Sequence, residues 1–273
     1  MSDAFPPFEP DGEGGGDPAE VAKQQRLRDV PLRYVVPNIV TVLAICAGLS
    51  AIRMAFEDRF EMAVMLIAIA AFLDGLDGRI ARLMKAASRF GKEMDSLADV
   101  VNFGVVPALV LYAFALDEAK QFGWTAALLY SIACTLRLAR FNITADDASR
   151  PKWQQAFFSG VPAPAGALVV LLPVYLGFLG FEPGWYTANV IAFYTIGVGL
   201  LMVSNLPVWS GKTIGRIPKT SVVPVIMGVA LFAALLANFT WSTLTACVIA
   251  YLAFLPWSLR MWRRAKKKAL SEV

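Results

Sequence analysis

The sequence predicts an all-α fold: a polytopic membrane helix bundle of about eight transmembrane helices with both termini cytosolic. Three observations predict it. Hydrophobic residues make up 57% of the 273 positions and charged residues 17%, with a mean hydropathy of +0.57, too apolar for a soluble domain of this length. Apolar runs of roughly 20 residues, each bounded by charges or turn residues, recur along the chain and are long enough to cross a ~30 Å hydrocarbon core as helices. Basic residues, finally, collect in alternate connections.

Taken in order, Met1–Asp17 is rich in Pro, Gly and acidic residues with almost nothing to bury, which predicts a disordered tail without a signal-peptide pattern. From Pro18 to Tyr34, Val21, Leu27, Val30 and Leu32 interleave with Lys and Arg; a helix lying on the membrane surface and a solvated linker both fit. The apolar runs then span Val35–Met54, Met62–Leu83, Met94–Leu116, Trp124–Leu138, Ala163–Phe181, Tyr186–Val208, Val222–Phe239 and Ser242–Leu259. Only Asn238-Phe239-Thr240-Trp241 separates the last two, so a tight helical hairpin is expected there.

Of the 25 basic residues, all but Arg53, Arg59 and Lys120 fall on one side of this topology. Cytosolic loops collect Lys and Arg, so that side is the cytosol. The tail Arg260–Lys268 reads as a topology and headgroup anchor. The net charge of +4 follows from this arrangement and from contact with anionic lipid, and gives no support to nucleic-acid binding. Cys46, Cys134 and Cys247 lie inside apolar runs without CxxC spacing and read as small buried hydrophobes. The chain has no histidine, which excludes His-based acid–base chemistry and His metal ligands. Any catalytic metal must be held by oxygen.

Carboxylates lie inside the apolar register only in the second and third runs: Asp74, Asp77, Asp95 and Asp99. An ionised side chain there is costly and needs a partner. Spacings of three and four residues put each pair on one helix face. The basic connection 85–92 makes the two helices antiparallel neighbours, with Asp74 and Asp99 at similar depth below the cytosolic surface. At ~5 Å and an effective dielectric of ~20, each pair of unit charges repels by roughly 3 kcal/mol, so four bare carboxylates cannot all stay ionised together. Arg79 and Arg82 could supply part of the balancing charge, whereas two Mg²⁺ or Mn²⁺ ions would balance it outright and suit an all-oxygen ligand set.

The stretch Asp74-Gly-Leu-Asp77-Gly78-Arg-Ile-Ala81-Arg82, followed after eight residues by Gly91-Lys-Glu-Met-Asp95-Ser-Leu-Ala-Asp99, matches every fixed position of a signature. By it the chain resembles the CDP-alcohol phosphatidyltransferase family. The resemblance implies that Asp74, Asp77, Asp95 and Asp99 surround two metal ions, with Asp99 also the general base. It implies that Gly78, Ala81, Arg82 and Gly91 receive the cytidine diphosphate of CDP-diacylglycerol, and that the protein is a homodimer in the cell (inner) membrane with its site facing the cytosol. Asn38 and Thr41 could reach the nucleotide by the same resemblance; ordinary helix capping after Pro37 explains them equally well.

The runs Glu93–Ala108, Arg137-Leu-Ala-Arg140-Phe-Asn142, Phe158-Ser159-Gly160-Val-Pro162-Ala-Pro164-Ala and, more loosely, Leu201–Lys212 are similar to the phosphatidylserine synthase branch. The end of the last run departs from the aromatic-Ser-Phe-Lys expected there. This branch implies transfer of a phosphatidyl group to the hydroxyl of L-serine, giving phosphatidylserine and CMP. Serine needs a cation for its carboxylate and an acceptor for its ammonium; Arg137, Arg140 and Asn142 are available, although cytosolic placement accounts for both arginines as well. The domain division expected is 1–34 as tail, 35–212 as the transferase membrane domain, and 213–273 as two added helices with a basic tail. Two alternatives remain: a sister transferase using glycerol phosphate or inositol phosphate, and a cation transporter using the same carboxylates as a pathway.

Overall fold

The computed structural model describes residues 32–85, 88–145, 157–209 and 221–271. The tail and the membrane-surface helix or linker expected upstream of Leu32, together with Arg150, Lys152, Ser210, Lys212, Arg216 and Lys219, lie outside the described residues.

Among the described residues ten α-helices follow one another: α1 Leu32–Phe56, α2 Phe60–Leu83, α3 Arg89–Asp99, α4 Val106–Phe114, α5 Lys120–Ala145, α6 Ala163–Val170, α7 Leu172–Phe178, α8 Trp185–Val203, α9 Val222–Asn238 and α10 Thr240–Ser271. Each expected apolar run falls mainly on helix, but Ala163–Phe181 runs past the helix end at Phe178, and Tyr186–Val208 runs past the helix end at Val203 to a residue that lies in a strand. The stretches Val35–Phe56, Phe90–Phe114, Leu116–Thr144, Trp185–Val203 and Thr240–Arg264 are long and apolar enough to cross a membrane. Ala163–Phe178 and Val222–Asn238 are shorter apolar helices. Helix α2 has the length of a span but carries Glu61, Asp74, Asp77, Arg79 and Arg82. By length and composition, five helices among the described residues are long and apolar enough to cross a membrane, where the sequence leads us to expect about eight, and the chain is a mostly helical integral membrane protein.

The third apolar run is one continuous rod built in two phases. Between α3 and α4 the backbone passes through a π-helical turn, Val100–Val105, closed by the Val106 N–H donating to the Val101 carbonyl. Pro107 lacks the N–H that would otherwise reach back to Phe103, one physical reason for a disturbed ladder here. The neighbouring carbonyls are taken up by α5: the Tyr130 hydroxyl donates to Phe103 O at 2.9 Å and Ser131 Oγ to Gly104 O at 3.1 Å. These bonds lock the third run onto α5 in the apolar interior, where Phe103, Val106, Leu111, Tyr130 and Met202 are fully buried. Helix α8 closes on α5 through small residues; a Cβ at Gly199 would stand 3.3 Å from Ala133 Cβ.

The fold departs from the sequence expectation in three places. It is not purely helical: Phe157–Ser159 (β1) and Pro207–Trp209 (β2) form an antiparallel ribbon with Phe158 opposite Val208. Gly160 makes the turn out of β1 at φ +76°, and a side chain there would run into the Met202 carbonyl. Helix α1 begins upstream of Pro37, so Asn38 and Thr41 lie within the helix and the capping explanation falls. Of the cysteines, Cys134 is buried, but Cys46 and Cys247 are exposed. Hydropathy alone does not tell a protein neighbour from a lipid one, and both of these sit on faces left exposed among the described residues.

Candidate active site

Helix α1 is the backplate of the site. It packs along the whole of α2 and also against α3, α4 and the π turn, so it stands behind both carboxylate helices. Helix α2 meets the third run chiefly at the π turn and α4 rather than at α3, so the ends carrying the carboxylates are less closely packed than the ends below them. A Cβ at Gly75 or Gly78 would find no atom within 4 Å. There is open space beside the first carboxylate pair, on the helix face where Gly78 was expected to admit a bulky group.

The four aspartates come together as expected. Asp74 and Asp99 are within side-chain hydrogen-bonding contact across the gap between α2 and α3, and Asp95 is within charge-interaction range of both Asp74 and Asp77. Asp77 is 3% exposed and accepts a 2.6 Å hydrogen bond from Thr41 Oγ1 on α1. Thr41 thus touches the carboxylate cluster directly. Asn38, one turn earlier, has its Oδ1 3.1 Å from where a Gly91 Cβ would lie, so α1 and the start of α3 are in close contact there. Helix α3 is started by Ser88, whose Oγ accepts from the Gly91 N–H at 3.0 Å. Ala81 is half-buried and Arg82 exposed, its Nε holding the Gly78 carbonyl at 3.0 Å.

Two buried carboxylate oxygens, Asp74 Oδ1 and Asp77 Oδ1, have no hydrogen-bond partner among the described residues. Orphaned anionic oxygens in an apolar span, next to two carboxylates in contact, call for a proton or a cation. The all-oxygen donor set suits a hard divalent ion. Among the described residues, however, no three His, Cys, Asp or Glu side chains form a ready ligand cluster; the aspartates approach pairwise rather than as a closed shell. The residues fit the ion by chemistry and by their unsatisfied oxygens.

The opposite wall comes from α5. Arg137 is 7% exposed, interacts electrostatically with Asp99 and lies over the Phe141 ring at 5.5 Å. Its Nε has no hydrogen-bond partner. With Arg140, Phe141, Thr144, Phe158 and Ser159 it lines a small open cleft. Arg140 is tied to Asn205 Oδ1 at 2.9 Å, and the Asn142 amide donates to Ser96 Oγ at 2.9 Å, fixing α5 beside Asp95. Of the three residues singled out for serine, Arg137 therefore carries an unengaged buried donor, while Arg140 and Asn142 already make ties. Sequence reasoning missed Asn102 in the π turn, whose two amide atoms are buried and unpartnered against Gly48. Its only sequence signal is an amide in an apolar register three residues after Asp99.

Residues 34–252 match the CDP-alcohol phosphatidyltransferase family over a region that holds both carboxylate pairs and Arg137. The chain belongs to that family. Its members are phosphotransferases, which sets the transporter alternative aside. The match runs past residue 212 into α10, further than the 35–212 division drawn from the sequence. The chain is 42% identical over 238 residues to a CDP-diacylglycerol–serine O-phosphatidyltransferase of Mycobacterium leprae, covering 86% of this chain and 78% of that protein. It is 40% identical over 245 residues to the enzyme of that name from Mycobacterium tuberculosis, covering 89% and 84%. The Helicobacter pylori enzyme of the same name is 38% identical over 173 residues, 63% of this chain and 71% of its own.

Proposed function

We propose that this family member transfers a phosphatidyl group from CDP-diacylglycerol to the hydroxyl of L-serine, releasing CMP. The observation that carries it is the meeting of four aspartates from two helices in one apolar register, with Asp74 and Asp99 in contact beside open space at Gly75 and Gly78. The names of the relatives support serine over glycerol phosphate or inositol phosphate, and the buried guanidinium of Arg137 beside Asp99 supplies the cation that the serine carboxylate needs.

The division of labour follows from the geometry. Asp74, Asp77, Asp95 and Asp99 would hold Mg²⁺ or Mn²⁺, two ions by charge, whose chemistry is to neutralise the diphosphate and the departing CMP. Thr41 holds Asp77 in place, and Gly78, Ala81, Arg82, Gly91 and Asn38 flank the space for the nucleotide. Asp99 accepts the proton of the serine hydroxyl as its oxygen attacks the lipid-side phosphorus; the bond from that phosphorus to the CMP oxygen breaks as the new phosphodiester forms. A site at headgroup depth leaves the acyl chains in lipid while serine and CMP exchange with water.

We further propose eight crossings with both termini in the cytosol, placement in the inner membrane, and a homodimer. Cysteine reporters in a background lacking Cys46, Cys134 and Cys247 should be labelled from outside at Asp117 or Glu182 and not at Arg150 or Arg216. Labelling at 150 from outside reverses the orientation. The deciding assay for the reaction is purified protein with CDP-diacylglycerol, Mn²⁺ and labelled serine, with the lipid product identified. Labelled phosphatidylserine with matching CMP release is expected. Incorporation of glycerol phosphate or inositol phosphate in its place would assign the chain to a sister activity.

A further inference from the structure

Helix α10 lies outside the transferase region drawn from the sequence, yet it is fastened to the acceptor wall. Ser258 on α10 is fully buried; its Oγ accepts from the Trp209 N–H at 2.8 Å and donates to Pro207 O at 2.7 Å. Pro207 and Trp209 flank Val208, which pairs with Phe158 of β1, and Phe158 and Ser159 line the cleft with Arg137. Two helical turns before Ser258, on the same face of α10, stands Tyr251. Its side chain is within electrostatic reach of Arg137, and its hydroxyl is buried without a hydrogen-bond partner among the described residues. Arg137 Nε is likewise buried and unpartnered.

Two orphaned donors on different helices, within electrostatic reach of each other, with Arg137 lining the cleft and also facing Asp99, are an arrangement that folding alone does not favour. A guanidinium and a phenol together make a donor pair for one carboxylate. Resting on the serine-transfer reading, we propose that Tyr251 of α10 joins Arg137 in binding the carboxylate of the amino-acid acceptor. Serine carries its hydroxyl and carboxylate on adjacent carbons. Anchoring the carboxylate at Arg137 and Tyr251 therefore delivers the hydroxyl to Asp99, which Arg137 also faces. The last helix then completes the acceptor subsite.

The test is steady-state kinetics of the full-length protein with Tyr251→Phe, which removes only the hydroxyl. A hydrogen bond to a charged group predicts a rise in the KM for serine of about ten- to a hundredfold, with kcat and the KM for CDP-diacylglycerol within about twofold of the parent. L-Serine methyl ester, whose carboxylate is capped, should lose its disadvantage as a competitor by the same factor. Ser258→Ala, which loosens α10 without touching Tyr251, should raise the serine KM several-fold and serves if Tyr251→Phe does not fold. A parent that makes no phosphatidylserine defeats the serine-transfer reading and this proposal with it. If the parent makes phosphatidylserine but the folded variants keep its serine KM, or shift both substrates and leave the ester ratio unmoved, the role of Tyr251 alone is overturned.

Discussion

The two walls of the site are built in opposite ways. The carboxylate wall comes from a short stretch of chain, Asp74 to Asp99, folded back on itself as α2 and α3 and braced from behind by Thr41 of α1. The proposed acceptor wall would draw Arg137 from α5, Phe158 and Ser159 from β1, Asn205 from the approach to β2 and Tyr251 from α10. The first wall is local in sequence and dense in charge; the second is assembled from distant segments with single polar groups. The difference maps onto the chemistry. Handling a diphosphate needs several like charges at fixed spacing, which one hairpin of helices supplies. Recognising a small amino acid needs a few donors in a pocket whose shape only tertiary structure sets.

The largest effects should fall on the carboxylate wall. Asp74→Asn, Asp77→Asn or Asp95→Asn should take phosphatidylserine formation to background, and excess chelator should do the same to the unmutated protein; turnover that persists in EDTA would remove the metal from the proposal. Asp99→Asn should lose about 10²–10⁴-fold in rate, the range for a general base, while still binding CDP-diacylglycerol. Added Mn²⁺ should leave that loss in place but shift the metal dependence of Asp77→Asn; rescue of Asp99→Asn by Mn²⁺ would make Asp99 chiefly a ligand. Thr41→Val removes the buried partner of Asp77 and should cost about 1–3 kcal/mol in thermal unfolding or in metal affinity, with Thr41→Ser close to the parent. Asn142, whose amide is already engaged by Ser96, should respond least. Asn142→Ala breaks one tie to Ser96 and should change the serine KM by about fivefold or less, measured beside the CDP-diacylglycerol KM. A collapse of kcat in Asn142→Ala would erase the contrast between the walls.

This contrast also explains what could be read without coordinates. The helices were legible because apolar runs with charged ends have few other solutions in a membrane. The carboxylate wall was legible because its residues share two helix faces at fixed spacing. The ribbon was not: Phe157–Ser159 and Pro207–Trp209 are three residues each, lie some fifty positions apart and show no alternation long enough to mark a strand. Tyr251 and Ser258 could not be linked to Arg137 and Trp209, because nothing local in α10 distinguishes a tyrosine or serine facing a site from one facing lipid. The same limit misplaced Cys46 and Cys247. Pro37 misled in another way, since it reads as the start of a helix that in fact begins upstream. Helix α9 shows how little packing an apolar run requires: it has no buried residue and its neighbour is α10.

The π turn at Val100–Val105 gives the third span a property that an unbroken helix lacks. An ordinary α-helix carries one angular phase from end to end, so any change that rotates its lower half against the core also turns the side chains of its upper half. Here one surplus residue resets the phase between Asp99 and Val106, and Tyr130 and Ser131 clamp the reset from α5. Removing that residue would swing Asp95 and Asp99 by roughly 100° relative to Val106 and Leu111. The span behaves as two keyed shafts joined by a coupling. The half that carries Asp95 and Asp99 is free to be indexed by catalysis and the half that carries Val106 and Leu111 by packing.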